Sequence, residues 1–225
     1  MKHPSPLPDT APPDSGLVSA AARDPERTAR KQEQIAQGAC KVFFAKGFHR
    51  TTIRELALAC GMSMGQLYHY ISSKDDVLFL VYQHMQRLWR EHLEGAGLDE
   101  MPDPRQRLER ALASTMEFME RHHELFLFVY TETKYLEPRH LRQVLASDDQ
   151  GVVGLWRKLL DGLKPALDRE LAANLIAFLL VFPVLRGWNL DRARREINLR
   201  ETVSFVLRGL GLETRPEEGH GGKTS

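Results

Sequence analysis

Within 25 residues the chain carries three helix-start signatures: Thr52-x-x-Glu55, Ser63-x-x-Gln66 and Ser73-x-x-Asp76. In each, the hydroxyl can accept an orphan backbone N–H while the residue three on reaches back to the helix start. A single match is common by chance, and capped helices occur in any helical bundle. Three in succession, each ahead of an apolar-periodic run, set short helices end to end. Ile53, Leu56, Ala57 and Cys60 share one face of a helix over 52–60. Gly61 then stops it, because glycine tolerates positive φ, and the next helix starts at Ser63. Two helices joined by a turn of about 3–4 residues make a helix-turn-helix, whose second helix enters the DNA major groove.

That second helix has an unusual surface. Met64, Gly65, Gln66, Tyr68, His69 and Tyr70 surround a single core residue, Leu67. Gly65 costs helix stability, roughly 1 kcal/mol against Ala, but lets another backbone approach closely. Gln66 can read base edges, and Tyr68, His69 and Tyr70 can donate to phosphates. Lys74 opens the following helix, where the macrodipole favours anions, so a phosphate partner is expected for it.

The stretch 30–85 resembles the DNA-binding domain of the tetracycline-repressor (TetR) family. The resemblance lies in an amphipathic helix ending FFAKGFHRTTI, then RELALACGMS, then GQLYHYISSKDDVLFLVY. It implies a three-helix domain, a homodimer and a double-stranded DNA operator. Position by position, it places DNA contacts at Thr52, Arg54, Ser63, Met64, Gly65, Gln66, Tyr68, His69, Tyr70 and Lys74. The family commonly has a small polar residue or Lys where this chain has Met64, so base preference there does not carry over.

Charge is divided along the chain. Residues 23–74 hold nine Lys and Arg against four acids, a net +5 in a chain whose total is +1. A basic end on an acidic remainder fits DNA at one end only. Cys40 and Cys60 have neither CxxC spacing nor histidines at metal-ligand intervals, and read as buried free thiols of a reducing cytoplasm. No apolar signal segment precedes the first helix. The longest uncharged apolar run, 171–185, holds 15 residues, short of the roughly 20 a bilayer span needs. A cytoplasmic protein is expected, with no membrane span, metal or cofactor. No GxSxG, HExxH or Gly-rich phosphate loop is present, so an enzyme is not expected.

The expected fold is all-α: an N-terminal three-helix helix-turn-helix domain and a C-terminal helical ligand-binding and dimerisation domain. Residues 1–22 read as a disordered arm and 23–93 as the DNA-binding domain, with the helix-turn-helix at about 52–71. Residues 94–212 read as the second domain and 213–225 as a flexible tail. A helix over 167–186 is apolar almost all round and asks for cover on every side. A second subunit on Leu171, Leu175, Phe178, Leu179, Phe182, Val203, Val206 and Leu210 supplies it; a thicker monomer core is the alternative. Met116, Met119, Phe126, Tyr130, Trp156, Phe178, Phe182 and Trp188 suit either a core or an adaptable apolar cavity, with Arg186 able either to hold an anionic head group or to form a salt bridge with Glu132. The segments YTETKYLEPRHLR and RGWNL are similar to family members associated with fatty-acid and acyl-CoA metabolism. The resemblance thus implies a ligand-released repressor with a hydrophobic small-molecule effector, a fatty acyl-CoA being the candidate. The alternative is a DNA-binding regulator controlled by a protein partner or lacking an effector.

Overall fold

Side-chain caps set the first four helices. In the computed structural model, which describes residues 24–186 and 195–212, the Asp24 carboxylate accepts from Arg27 N at 2.9 Å and opens α1 (Pro25–Lys46). Pro25 sits in the first turn, where its missing N–H costs nothing. Thr52, Ser63 and Ser73 each form the reciprocal capping box expected of them, and open α2 (Ile53–Ala59), α3 (Met64–Tyr68) and α4 (Lys74–Glu94). Gly47 and Gly61, both at positive φ, turn the chain between α1, α2 and α3.

Tight packing brings α1 against α2 and α4. Ile35, Ala39, Phe43, Leu56, Leu67, Ile71 and Val77 are buried together beneath the helix-turn-helix. Gly38 marks the crossing of α1 and α2. A Cβ there would lie 2.7 Å from Cys60 Sγ and 3.0 Å from the Ala59 carbonyl, so only glycine fits. Cys60 is buried and Cys40 half-buried, both as free thiols. Burial pushes them up to about 11 and about 12 respectively.

The second half comprises α5 (Pro104–Arg121), α6 (His123–Glu132), α7 (Pro138–Ser147), α8 (Gly154–Leu159), α9 (Arg169–Arg186) and α10 (Arg195–Gly209). The sequence suggests one helix from Pro138 to Leu160. Instead, α7 and α8 are joined by a π-helical turn, Asp148–Val153. Among the described residues there is no strand, and no helix long and apolar enough to cross a membrane. Trp188, the arm at 1–22 and the tail at 213–225 lie outside the described residues.

One hydrophobic core runs through both halves. Phe43 stacks on Phe128 with ring centroids 5.1 Å apart, Phe44 meets the same ring edge-on, and His49 lies edge-on to Tyr135. Phe128 and Tyr135 lie beyond the border drawn at 93/94, so packing continues across it.

Part of the expected interface register is corrected. Val203, Val206 and Leu210 are buried within their own chain together with Leu207. With Leu210 just past its end, they form the inward stripe of α10, and its outward face presents Ile197 and Phe205, the latter 58% exposed. On α9, Leu171, Leu175, Phe178 and Phe182 are exposed, at spacings of four, three and four, while Leu179 is half-buried against the core. Ala172, Ala173, Ile176, Leu180 and Val184 form the opposite, inward face.

Replacing Gly38 by Ala should push α1 off α2. Overpacking of this kind costs about 1–3 kcal/mol, so thermal melting should fall by several degrees. An unchanged melting temperature would show that the crossing has slack.

Candidate nucleic-acid interface and apolar cavity

Five residues of α3 turn around one buried leucine. Leu67 is fully buried, whereas Met64, Gly65, Gln66 and Tyr68 are exposed, followed by exposed His69. A Cβ added at Gly65 would meet nothing within 4 Å, so this stretch of α3 is open to an incoming surface. Arg54 on α2 is exposed as well. Tyr70 differs: its ring is half-buried against the core and lies 5.1 Å from His69, edge-on.

Two capping duties limit what the expected contact residues have free. Thr52 accepts Glu55 N and donates its hydroxyl to Glu55 Oε2 at 2.8 Å. Gln66 Oε1 accepts Ser63 N at 2.8 Å, which leaves the amide Nε2 to meet DNA. Glu55 is further held by Lys46; that contact, then those to Thr52, bring its carboxyl down to about 2.

Lys74 has partners that the sequence did not suggest. Its ammonium donates to the carbonyls of Phe48 at 2.9 Å, Thr51 at 3.1 Å and His49 at 3.2 Å, and lies 4.5 Å from the centre of the Phe48 ring. An ammonium has three donors and no acceptor, so in the free protein the α1–α2 loop takes all three. Three non-helical carbonyls converge there, and they supply the negative partner that the start of α4 does not. Conversely, sequence reading missed Arg27, Thr28 and Lys31. With Gly61, Met62, Gly65, Gln66, His69 and Tyr70 they line a polar groove between α1 and α3. Two basic residues four apart in the first turns of α1 were the available signal.

A separate apolar cavity of about 520 Å³ lies in the second half, within the range of small-molecule sites. Met119, Phe126, Tyr130, Trp156 and Phe178 line it, as expected residues should. Met116, Phe182 and Arg186 do not. Met116 lies a helical step round from Thr115 and is buried in the core. Phe182 and Arg186 are exposed, one and two turns beyond Phe178. The wall missed from sequence is α4, which contributes Tyr82, Met85, Gln86 and Trp89. These four keep i, i+3, i+4, i+7 spacing, and polar Tyr82 and Gln86 at core positions were the visible clue. Among the described residues no cluster of three metal-ligating side chains occurs.

Two substitutions separate surface from scaffold. Gly65→Ala should stabilise the fold, by up to about 1 kcal/mol, yet weaken DNA binding, because a methyl group would stand where DNA comes close. Tyr68→Ala should cost DNA affinity about 1–3 kcal/mol with melting unchanged. Gel shifts on the mapped operator, paired with thermal melts, are the measurements; full affinity in both variants would remove α3 from the interface. Lys74→Ala should lower stability by about 1 kcal/mol, the cost of losing partly buried hydrogen bonds to three loop carbonyls. The salt slope of DNA binding should stay as in the parent, and a slope lowered by about one unit would mark Lys74 as a phosphate contact after all.

The family model for bacterial regulatory proteins of the tetR family matches residues 35–81. The HTH-type transcriptional regulator HbdR of Aromatoleum sp. (strain CIB) is 27% identical over 133 residues, 59% of this chain and 57% of that protein. The chain therefore spans little more than half the length of this relative. Among solved structures, the TetR-family transcriptional regulator PfmR from Thermus thermophilus superposes with a TM-score of 0.63 at 26% identity, over 78% of this chain and 98% of that one. AibR, solved in complex with isovaleryl coenzyme A and operator DNA, shares the fold with a TM-score of 0.61 at 16% identity, over 80% of this chain and 98% of that one. Capped helix-turn-helix, all-helical second half and these likenesses agree: residues 35–81 are a DNA-binding domain of the tetR family of bacterial regulatory proteins, in a chain that shares the fold of TetR-family regulators.

Proposed function

We propose that the protein is a dimeric, sequence-specific DNA-binding regulator of transcription, released from its operator by a hydrophobic small molecule. One observation carries this reading: a single helix, α4, begins in the DNA-facing motif and walls the cavity. Its first turn holds Lys74 and Asp76 behind the Ser73 cap, next to α3, and its middle supplies Tyr82, Met85, Gln86 and Trp89 to the cavity. Whatever fills the cavity must press on the helix that positions α3.

The effect on DNA follows from linkage. A ligand that prefers one arrangement of α4 weakens DNA binding by the same coupling energy with which DNA weakens ligand binding. Couplings of about 1–3 kcal/mol change affinity roughly 5–150-fold, enough for a repressor to leave its site. The alternative of a protein partner, or of no effector, predicts that no small molecule shifts the melting temperature.

The cavity supports the hydrophobic half of the fatty acyl-CoA expectation, as does the fold shared with AibR, which was solved with an acyl-CoA. Its lining is largely apolar, but among the described residues it offers an anionic group one cation, Lys134, and no arginine or histidine. Lys134 is exposed, with its ammonium 4.9 Å from the Tyr135 ring. The nucleotide part of such a ligand would stay outside the cavity.

Dimerisation rests on the stripe Leu171, Leu175, Phe178 and Phe182, with Phe205 on α10. Exposed apolar stripes of this kind mark interaction surfaces, and a two-fold dimer presents two α3 helices to two half-sites. Phe182 is the residue to test, because it is exposed and does not line the cavity. Phe182→Glu should bury an unpaired carboxylate at several kcal/mol in the dimer. Light scattering should then show a folded monomer with lost operator affinity. A variant that remains dimeric at micromolar concentration would move the interface elsewhere.

A further inference from the structure

The polar groups of the cavity say which ligand head group it can hold. Tyr82 and Gln86 lie one turn apart on α4, and both are buried. The Tyr82 phenol has one proton and gives it to the Val144 carbonyl at 3.2 Å. Gln86 meets the same phenol oxygen at 2.9 Å, so it must meet it with its donor end, Nε2. That fixes the amide. Its carbonyl, Oε1, points the other way and has no partner among the described residues, although the residue is only 6% exposed. The neighbour on that side is Gly151 of the π turn, where even a Cβ would stand 3.8 Å from Oε1. The turn therefore leaves an acceptor open.

The same turn brings a negative charge. Asp148, its first residue, lines the cavity with Val152 and Val153. Burial, and then the Asp148 charge, push the Tyr82 phenol up to about 12, so it stays a neutral donor to the Val144 carbonyl. Trp156 also lines the cavity and is fully buried, with an indole N–H that has no partner among the described residues.

We infer that the cavity selects an uncharged apolar molecule bearing a hydroxyl, held by donation to Gln86 Oε1, and disfavours an acid anion. The inference rests on the reading of this cavity as the effector site. A carboxylate or phosphate has no proton for Gln86 and would meet Asp148 as well as Lys134. An ammonium can donate and could pair with Asp148, but it would also meet Lys134 and has no lone pair to offer the Trp156 N–H. A hydroxyl donates, offers lone pairs and is neutral.

The test uses four ligands with the same alkyl chain: dodecanol, dodecanoate, dodecylamine and dodecanoyl-CoA. Emission from Trp89 and Trp156, both in the wall, reports occupancy of the full-length protein, and gel shifts report release of the operator. Dodecanol should bind about tenfold more tightly than dodecanoate, the scale of leaving a buried acceptor without its hydrogen bond. Gln86→Leu should erase that preference. Because Leu also removes the partner of Tyr82, Asp148→Asn serves as the second variant: it should strengthen dodecanoate binding severalfold and leave dodecanol unchanged. Tightest binding of dodecanoate, dodecylamine or dodecanoyl-CoA would overturn the hydroxyl assignment and leave the effector site standing. No response to any of the four, with operator binding intact, would overturn the effector site itself and this inference with it.

Discussion

A buried carboxylate at the start of α4 holds the two halves in register. Asp76 is 2% exposed. Its Oδ2 accepts the backbone N–H groups of Ser72 and Ser73, at 2.6 and 3.0 Å, and so ties down the segment leaving α3. Its Oδ1 meets Arg139 at 2.9 Å and His140 at 3.2 Å, both on α7. A charge this deep is tolerable only when paired and hydrogen-bonded, and losing one partner of such a pair costs about 3–5 kcal/mol. His140 is buried as well, stacked on Phe79 with ring centroids 4.8 Å apart. Burial lowers its pKa more strongly than Asp76 raises it, so the ring is held neutral and meets Asp76 as a hydrogen-bonding partner. The cap of α4, the end of the helix-turn-helix and the first turns of α7 thus share one carboxyl group.

A second joint lies nearly two turns along α4 and one along α7, where Tyr82 donates to the carbonyl of Val144. Between the two joints, α7 contributes Leu141, Val144 and Leu145 to the cavity. A ligand that displaces α7 is therefore resisted, or transmitted, at Asp76 and Tyr82. The close packing of Phe43, Phe44 and Phe128 opposes independent motion of the two halves. Packed interfaces tend to switch between discrete arrangements rather than deform continuously, which suits α4 to a two-position role.

What could be read from the sequence was local. The three capping boxes, the turn at Gly61 and the exposed face of α3 each depend on residues within a few positions of one another, and all appear where the pattern puts them. The failures involve distant partners or ambiguous faces. The carbonyls that occupy Lys74 lie 23–26 residues earlier in the chain. α10 has apolar residues on more than one side, so Val203, Val206 and Leu210 fit an interface as well as a core until packing decides. The contribution of α4 to the cavity was obscured because Met85 and Trp89 read as ordinary core, and the π turn has no local signature. Arg186 was assigned to the cavity for its chemistry, whereas helix geometry carries it two turns beyond Phe178.

The composition of α9 makes sense once its faces are separated. Ala172, Ala173, Ile176 and Val184 fill the core with small and branched side chains; Asn174, Ala177, Phe178, Leu180 and Val181 face the cavity; Leu171, Leu175 and Phe182 face outward. A helix apolar on every side thus meets three different surroundings. Phe178 belongs to two of them, since it lines the cavity and is 60% exposed. A second subunit seated on the outward stripe would cover the edge of the cavity at this ring. Ligand occupancy and subunit packing would then compete for, or jointly fix, one side chain. Coupling between cavity and dimer geometry needs no long pathway in such an arrangement, because both contacts bear on Phe178 directly.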